Sequence, residues 1–226
     1  MINPLDNPVW AALNSRQAHF NQGNEILKYF PSKVAPFVGL QNWEERDQDE
    51  LNEHLPGGRS FSVLIAGKAD FPPSIELVFS TPLYQMYCRV LKPVIDPGTM
   101  IRGLRIDDVS QMLELTAMTK PGPFYERTIE FGNYIGIFDQ DKLVAMAGDR
   151  LSLQGYTEVS AICTNPDHLG KRYASYLITR AAERILGEGD IPFLHVRADN
   201  QRAIGVYEKM GFEIRADIYF AIFRRR

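Results

Sequence analysis

Cysteine is scarce in this sequence: Cys88 and Cys163 are the two among 226 residues, far apart and each in apolar, strand-like surroundings. That excludes a disulfide framework and predicts buried thiols in a reducing compartment. Histidine is nearly as rare. His19, His54, His168 and His195 show no metal-ligand spacing, so no metal is expected. A surplus of positive charge is missing as well. The net charge is −3, which argues against a nucleic-acid binder, and Arg224-Arg225-Arg226 reads as a solvated tail. No apolar run reaches the length of a membrane span, and the N-terminus lacks the basic-then-apolar layout of a secretion signal. No repeat-length period is visible, which excludes a solenoid. A soluble, cytoplasmic protein without a membrane partner is expected.

The length suits one or two domains with a substantial core. The strongest boundary is the proline-rich loop Pro93 to Pro97, which divides the chain into 1–97 and 98–226. In the first part, Asn7-Pro8 opens a helix expected to run to about Phe20. Asn42 opens a strongly charged helix expected to run through Glu44 and Glu45 to Leu55, ended by Pro56-Gly57-Gly58. Strands are expected at Ser60 to Ile65, Ile75 to Phe79 and Leu83 to Val90, punctuated by Pro72-Pro73 and Pro82. This smaller α/β portion could be a degenerate copy of the second domain's plan.

The second part reads as a strand (Ile101 to Leu104), an amphipathic helix (Ile106 to Met118) and a shorter helix (Phe124 to Phe131). A hairpin of Tyr134 to Asp139 with Leu143 to Leu151 follows, then a strand from Tyr156 to Thr164. Asn165-Pro-Asp breaks that strand. Tyr173, Leu177, Ala181 and Ile185, spaced four apart, mark a helix stopped by Gly187. Phe193 to Val196 is the next strand. Asn200 caps a helix with Ala203, Ile204, Tyr207 and Met210 on its apolar face, closed by Gly211. Tyr219, Phe220 and Phe223 lie in the last strand. A strand–turn–helix presents free N–H groups and a positive dipole end, which suits an anion such as a pyrophosphate.

The run Thr164-Asn-Pro-Asp-His-Leu-Gly-Lys-Arg-Tyr-Ala174, followed by Asn200, Ala203, Tyr207 and Gly211-Phe212, resembles the GNAT superfamily of acyl-CoA-dependent N-acyltransferases. More narrowly it is similar to the glycine N-acyltransferase-like branch. The resemblance covers about the last 125 residues, a length typical of one domain. One departure matters. Where the family's turn usually reads Arg-Gly-x-Gly-x-Ala, this chain has Leu169-Gly170-Lys171-Arg172-Tyr173-Ala174. Leucine replaces the arginine, and Arg172 stands where a second glycine would permit positive φ.

The resemblance implies an α+β fold: a twisted mixed sheet with helices on both faces. It implies acetyl-CoA or another acyl-CoA as co-substrate, with Ile162, Cys163 and Thr164 pairing its pantetheine arm. Gly170, Lys171, Arg172, Tyr173, Ala174 and Ser175 would hold its phosphates, and Asn200 and Ala203 would flank it. Tyr207 becomes the candidate general acid, although periodicity alone would make it a core aromatic. Glu158, four residues before Ile162 on one strand face, is the candidate base; an ordinary strand carboxylate is the equal alternative. His195 reads as a structural histidine, and Cys163 as a small apolar filler without an activating base. The expected function is transfer of an acyl group to the amine of a small molecule or amino acid. An idle acyl-CoA-binding module and a protein acetyltransferase are the alternatives. The acceptor, the acyl length and the oligomeric state are not legible.

Overall fold

The computed structural model describes residues 3–43, 45–69 and 71–226. In chain order the elements are α1 (Pro8–Leu13), β1 (Leu27–Tyr29), β2 (Val38–Leu40), α2 (Glu45–Glu53), β3 (Ser60–Ala66), β4 (Ile75–Tyr87), β5 (Ile101–Gly103) and α3 (Val109–Thr119). They continue with β6 (Ile135–Asp139), β7 (Lys142–Leu153), β8 (Tyr156–Thr164), α4 (Tyr173–Gly187), β9 (Ile191–Arg197), α5 (Gln201–Lys209) and β10 (Glu213–Arg225). Strands β1 and β2 form a small antiparallel pair. The other eight make one sheet in the order β3-β10-β4-β9-β8-β7-β6-β5. Every neighbouring pair in it is antiparallel except β8 and β9. The sheet is therefore mixed, as expected.

Alternation along the central strands builds two cores. Met146 of β7 and Cys163 of β8 pack on one face with Val9 of α1 and Met112 and Leu115 of α3. Ala145 and Ala147 face the other way, against Leu177 of α4. Ile178 of α4, Ile204 of α5 and Leu194 and Val196 of β9 extend that second layer. Both cysteines are free and buried. Among the described residues no helix is long and apolar enough to cross a membrane.

The part of the chain before Pro97 contributes directly to this sheet, because β3 and β4 sit on either side of β10. One continuous strand, β4, replaces the two separate strands expected around Pro82. Pro82 is tolerated because its carbonyl accepts from Ala198 N, so its nitrogen also faces β9. Pairing of β4 with β9 runs only over Leu83 to Tyr87, so the missing donor falls at the end of that ladder, where no strand residue of β9 awaits it.

Three helices are shorter than their periodicity suggests. The first ends at Leu13, with a 3-10 turn at Ala18–Phe20. The Phe124–Phe131 segment keeps only a 3-10 turn over Thr128–Phe131. Its backbone is diverted by tertiary bonds: Arg127 N donates to Lys33 O, and Thr128 Oγ1 donates to Val34 O. Of the charged helix, Glu45–Glu53 is observed, and Glu44 lies outside the described residues.

Candidate active site

The parallel pairing of β8 and β9 stops early. It links Tyr156, Thr157 and Glu158 to Ile191, Pro192 and Phe193, and then the strands part. The cause lies on the other side of β8, where its pairing with β7 jumps from Ser160↔Gly148 to Cys163↔Met146. Two residues of β8 stand against one of β7, a bulge, and Ala161 within it has φ of 50°. From Ile162 in the bulge through Cys163 and Thr164, β8 has no ladder partner on its β9 side, where a gap opens, while Cys163 and Thr164 stay paired with β7.

A cavity of about 580 Å³ occupies this gap. Of the residues expected around a cofactor, Ile162, Cys163, Thr164, Gly170, Arg172, Tyr173, Ala174, Ser175, Asn200 and Ala203 all line it; Lys171 does not. Asn200 caps α5 through a bond from Ala203 N at 3.2 Å, the role its position suggested. Arg172 takes the left-handed conformation a glycine would favour, φ 61° and ψ 15°, as the residue preceding α4. The turn thus keeps its shape with the arginine in place. The N–H groups of the first α4 turn have no intrahelical acceptor and open beside the cavity. Two polar atoms in the lining, Thr164 Oγ1 and His168 Nδ1, are buried without a hydrogen-bond partner among the described residues. His168 was missed as a site residue; its other nitrogen lies 3.0 Å from Asp139 Oδ2. Burial pushes the Cys163 thiol up to about 11, so it stays protonated at neutral pH.

A second cavity, about 460 Å³, lies across the bulge. Ile162 and Tyr207 line both, so the two meet at those side chains. Burial pushes the Tyr207 phenol up to about 12, and its hydroxyl has no hydrogen-bond partner among the described residues. The N-terminal strands supply Leu64, Phe79, Thr81 and Leu83 to this second cavity, and β10 supplies Phe220 and Ile222.

Glu158 occupies a different place from that expected of a base. It is fully buried, lines neither cavity and sits beneath Arg150 and His195. Arg150 donates Nε to Glu158 Oε2 at 2.9 Å and Nη2 to Oε1. His195 Nδ1 lies 2.6 Å from Oε1. Burial alone would raise this carboxylate; the charge of Arg150 and the bonds from Arg150 and His195 outweigh it and hold the group down at about 2. That is the opposite direction from the shift that makes a carboxylate a base near neutral pH. The histidine is fixed from its far side as well. Gln85 Nε2 donates to Leu5 O at 3.0 Å and lies 3.0 Å from His195 Nε2. An imidazole protonated on Nδ1 satisfies all these contacts at once. Arg150 and Gln85 were not read as site residues. The Gln154-Gly155 turn alone would set Leu151 across from Glu158; the register shift between Asp149 and Ser152 brings Arg150 there as well, and nothing local in the sequence signals that shift.

The architecture, a mixed sheet opened by a bulge beside a helix N-terminus, defines the fold class of the GNAT acyltransferases. Comparisons with known proteins agree. The FR47-like protein family model matches residues 134–221. A protein from Novosphingobium aromaticivorans, assigned to the GNAT family of acetyltransferases, is 28% identical over 100% of both chains, with a TM-score of 0.91. A GCN5-related N-acetyltransferase from Kribbella flavida shares the fold at 13% identity, with 96% of this chain and 91% of that one covered and a TM-score of 0.63. No curated protein matches the sequence. The FR47-like model covers less than half of the chain, and the full-length match extends the likeness to GNAT-family acetyltransferases over the remainder.

Proposed function

We propose that this protein is an acyl-CoA-dependent N-acyltransferase that moves an acyl group, most simply acetyl, onto the primary amine of a small molecule. The observation that carries this reading is the junction at Ile162 and Tyr207, where a donor in one cavity would meet an amine in the other. The donor cavity offers what a long amide-bearing thioester needs. Thr164 Oγ1 and His168 Nδ1 are polar atoms that want partners. The first turn of α4, with Arg172 beside it, suits a diphosphate. When bound, the thioester would supply an activated carbonyl and a thiolate leaving group.

The side chains take defined parts in this reading. Tyr207 holds its proton at any physiological pH, since burial raises it to about 12. A thiol's ordinary value is near 8.5, so complete transfer from this phenol would be uphill by about 5 kcal/mol. Tyr207 therefore serves as a hydrogen-bond donor to the departing sulfur, and the proton that finally settles there comes from the amine. Glu158 acts as a positioning residue that fixes Arg150 and His195 in the wall of the acceptor cavity. Residues 1–97 form the rest of that wall through β3 and β4.

The experiment is thiol release from acetyl-CoA, followed across a panel of small amines. Release that depends on the amine supports transfer. Binding of acetyl-CoA with no release for any amine would favour an idle acyl-CoA-binding module instead. One observation favours a polypeptide acceptor as a second reading: Leu77, Val78 and Phe79 are about half exposed on the free edge of β4, beside the acceptor cavity. Turnover of peptides but not free amines would establish it.

A further inference from the structure

The acceptor cavity has a charge character that acyl transfer alone does not require. Its lining includes Lys120, Arg150 and Arg197, and no aspartate or glutamate among the described residues. A pocket for a polyamine or other polycation needs carboxylates; this one presents cations. Arg197 is already engaged, forking Asp199 from Nε at 2.9 Å and Nη2 at 2.5 Å. Arg150 commits Nε and Nη2 to Glu158, and its guanidinium lies over the Phe37 ring, 5.1 Å from the centroid. The remaining nitrogen, Nη1, has no hydrogen-bond partner among the described residues. It sits 3.8 Å from where a Cβ on Gly122 would begin, and Gly122 lines the same cavity. Lys120, the left-handed residue that ends α3, forms no ion pair among the described residues. The lining also carries a set of apolar side chains, Leu64, Phe79, Leu83, Phe220 and Ile222.

We infer that the acceptor is an amino acid with a large apolar side chain, its carboxylate held by Arg150 Nη1 and Lys120 and its side chain lying against Phe79 and Phe220. The inference rests on the acyltransferase reading and names the acceptor of that same site. Guanidinium N–H groups suit a carboxylate, and Arg150 is fixed by Glu158 and Phe37 before any ligand arrives, so binding orders little. Glycine would leave the apolar wall wet. A polyamine would bring positive charge against Lys120 and Arg150.

The test is calorimetric titration of the full chain, with and without saturating CoA, using L-phenylalanine, L-phenylalaninamide, 2-phenylethylamine, glycine and spermidine. Phenylalanine is expected to bind at least about tenfold more tightly than its amide or phenylethylamine, the loss typical of a hydrogen bond to a charged group. Glycine and spermidine should bind more weakly still. Lys120→Met should weaken phenylalanine by about threefold or more, leaving phenylethylamine and CoA unchanged. Equal binding of phenylalanine, its amide and phenylethylamine overturns the inference, as does a preference for spermidine or glycine. The readout does not require turnover. Discrimination without thiol release would therefore keep this inference and remove the transfer reading, whereas efficient turnover of phenylethylamine and phenylalanine alike would do the reverse.

Discussion

Replacing Glu158 with glutamine removes the one negative charge that Arg150 and His195 share, and the cost can be worked in two ways. The carboxylate is fully buried and held at about 2, against an ordinary value of 4.5. At about 1.4 kcal/mol per pH unit, that displacement corresponds to roughly 3 kcal/mol of stability. Independently, breaking a buried ion pair by removing one partner costs about 3–5 kcal/mol. The sign follows from the depressed value: the stabilisation is complete above about pH 4.5 and is lost as pH falls towards 2. For a chain of this size, 1 kcal/mol moves Tm by about 2–4 °C, so Glu158→Gln should melt roughly 6–12 °C lower at neutral pH. Thermal unfolding of both proteins at intervals from pH 7 down to pH 3 measures this directly. The gap should narrow through the acid range. A gap below about 1 kcal/mol at neutral pH, or one constant with pH, would refute the assignment of this network as a buried, charge-paired support.

Tyr207→Phe should lower the turnover number by about tenfold to a hundredfold while leaving CoA affinity within about twofold, seen as slower thiol release at saturating acetyl-CoA; an unchanged rate removes the hydroxyl from the mechanism. Arg172→Gly relieves a left-handed arginine at a cost in unfolded-chain entropy of similar size, so Tm should stay level or rise slightly. The same substitution should weaken CoA by about tenfold, more at low salt, and unchanged affinity would mean the side chain makes no phosphate contact. Gly148→Ala should destabilise by about 1–3 kcal/mol in urea unfolding, because a Cβ there would stand 2.2 Å from the buried Tyr134 ring; a neutral result would mean the ring moves freely.

The C-terminal half of the fold was legible because its signals are local. Helix spacing, Asn200 and Gly187 set α4 and α5 to within a residue or two. The residues expected around a cofactor followed from the run around Thr164 to Ala174 and from Asn200 and Ala203, and nearly all of them line one cavity. What was hidden depends on partners distant in sequence. Nothing local in β3 or β4 says that they flank β10, more than 100 residues away. Pro82 read as a strand break because its tolerance depends on which side of β4 lacks a partner. Glu158 read as a candidate base because a strand carboxylate looks the same in sequence whether it meets solvent or a guanidinium. Lys120 and Arg150 carried no motif; only the closure of the cavity by the N-terminal strands gives them a shared space.

Thermal unfolding of the full chain in increasing acetyl-CoA tests most directly whether acyl-CoA occupies the gap opened by the Ala161 bulge. A stabilisation that climbs with concentration, reaching about 2.7 kcal/mol at 100 times the dissociation constant, is the predicted result. An unfolding temperature unmoved by millimolar acetyl-CoA would contradict it.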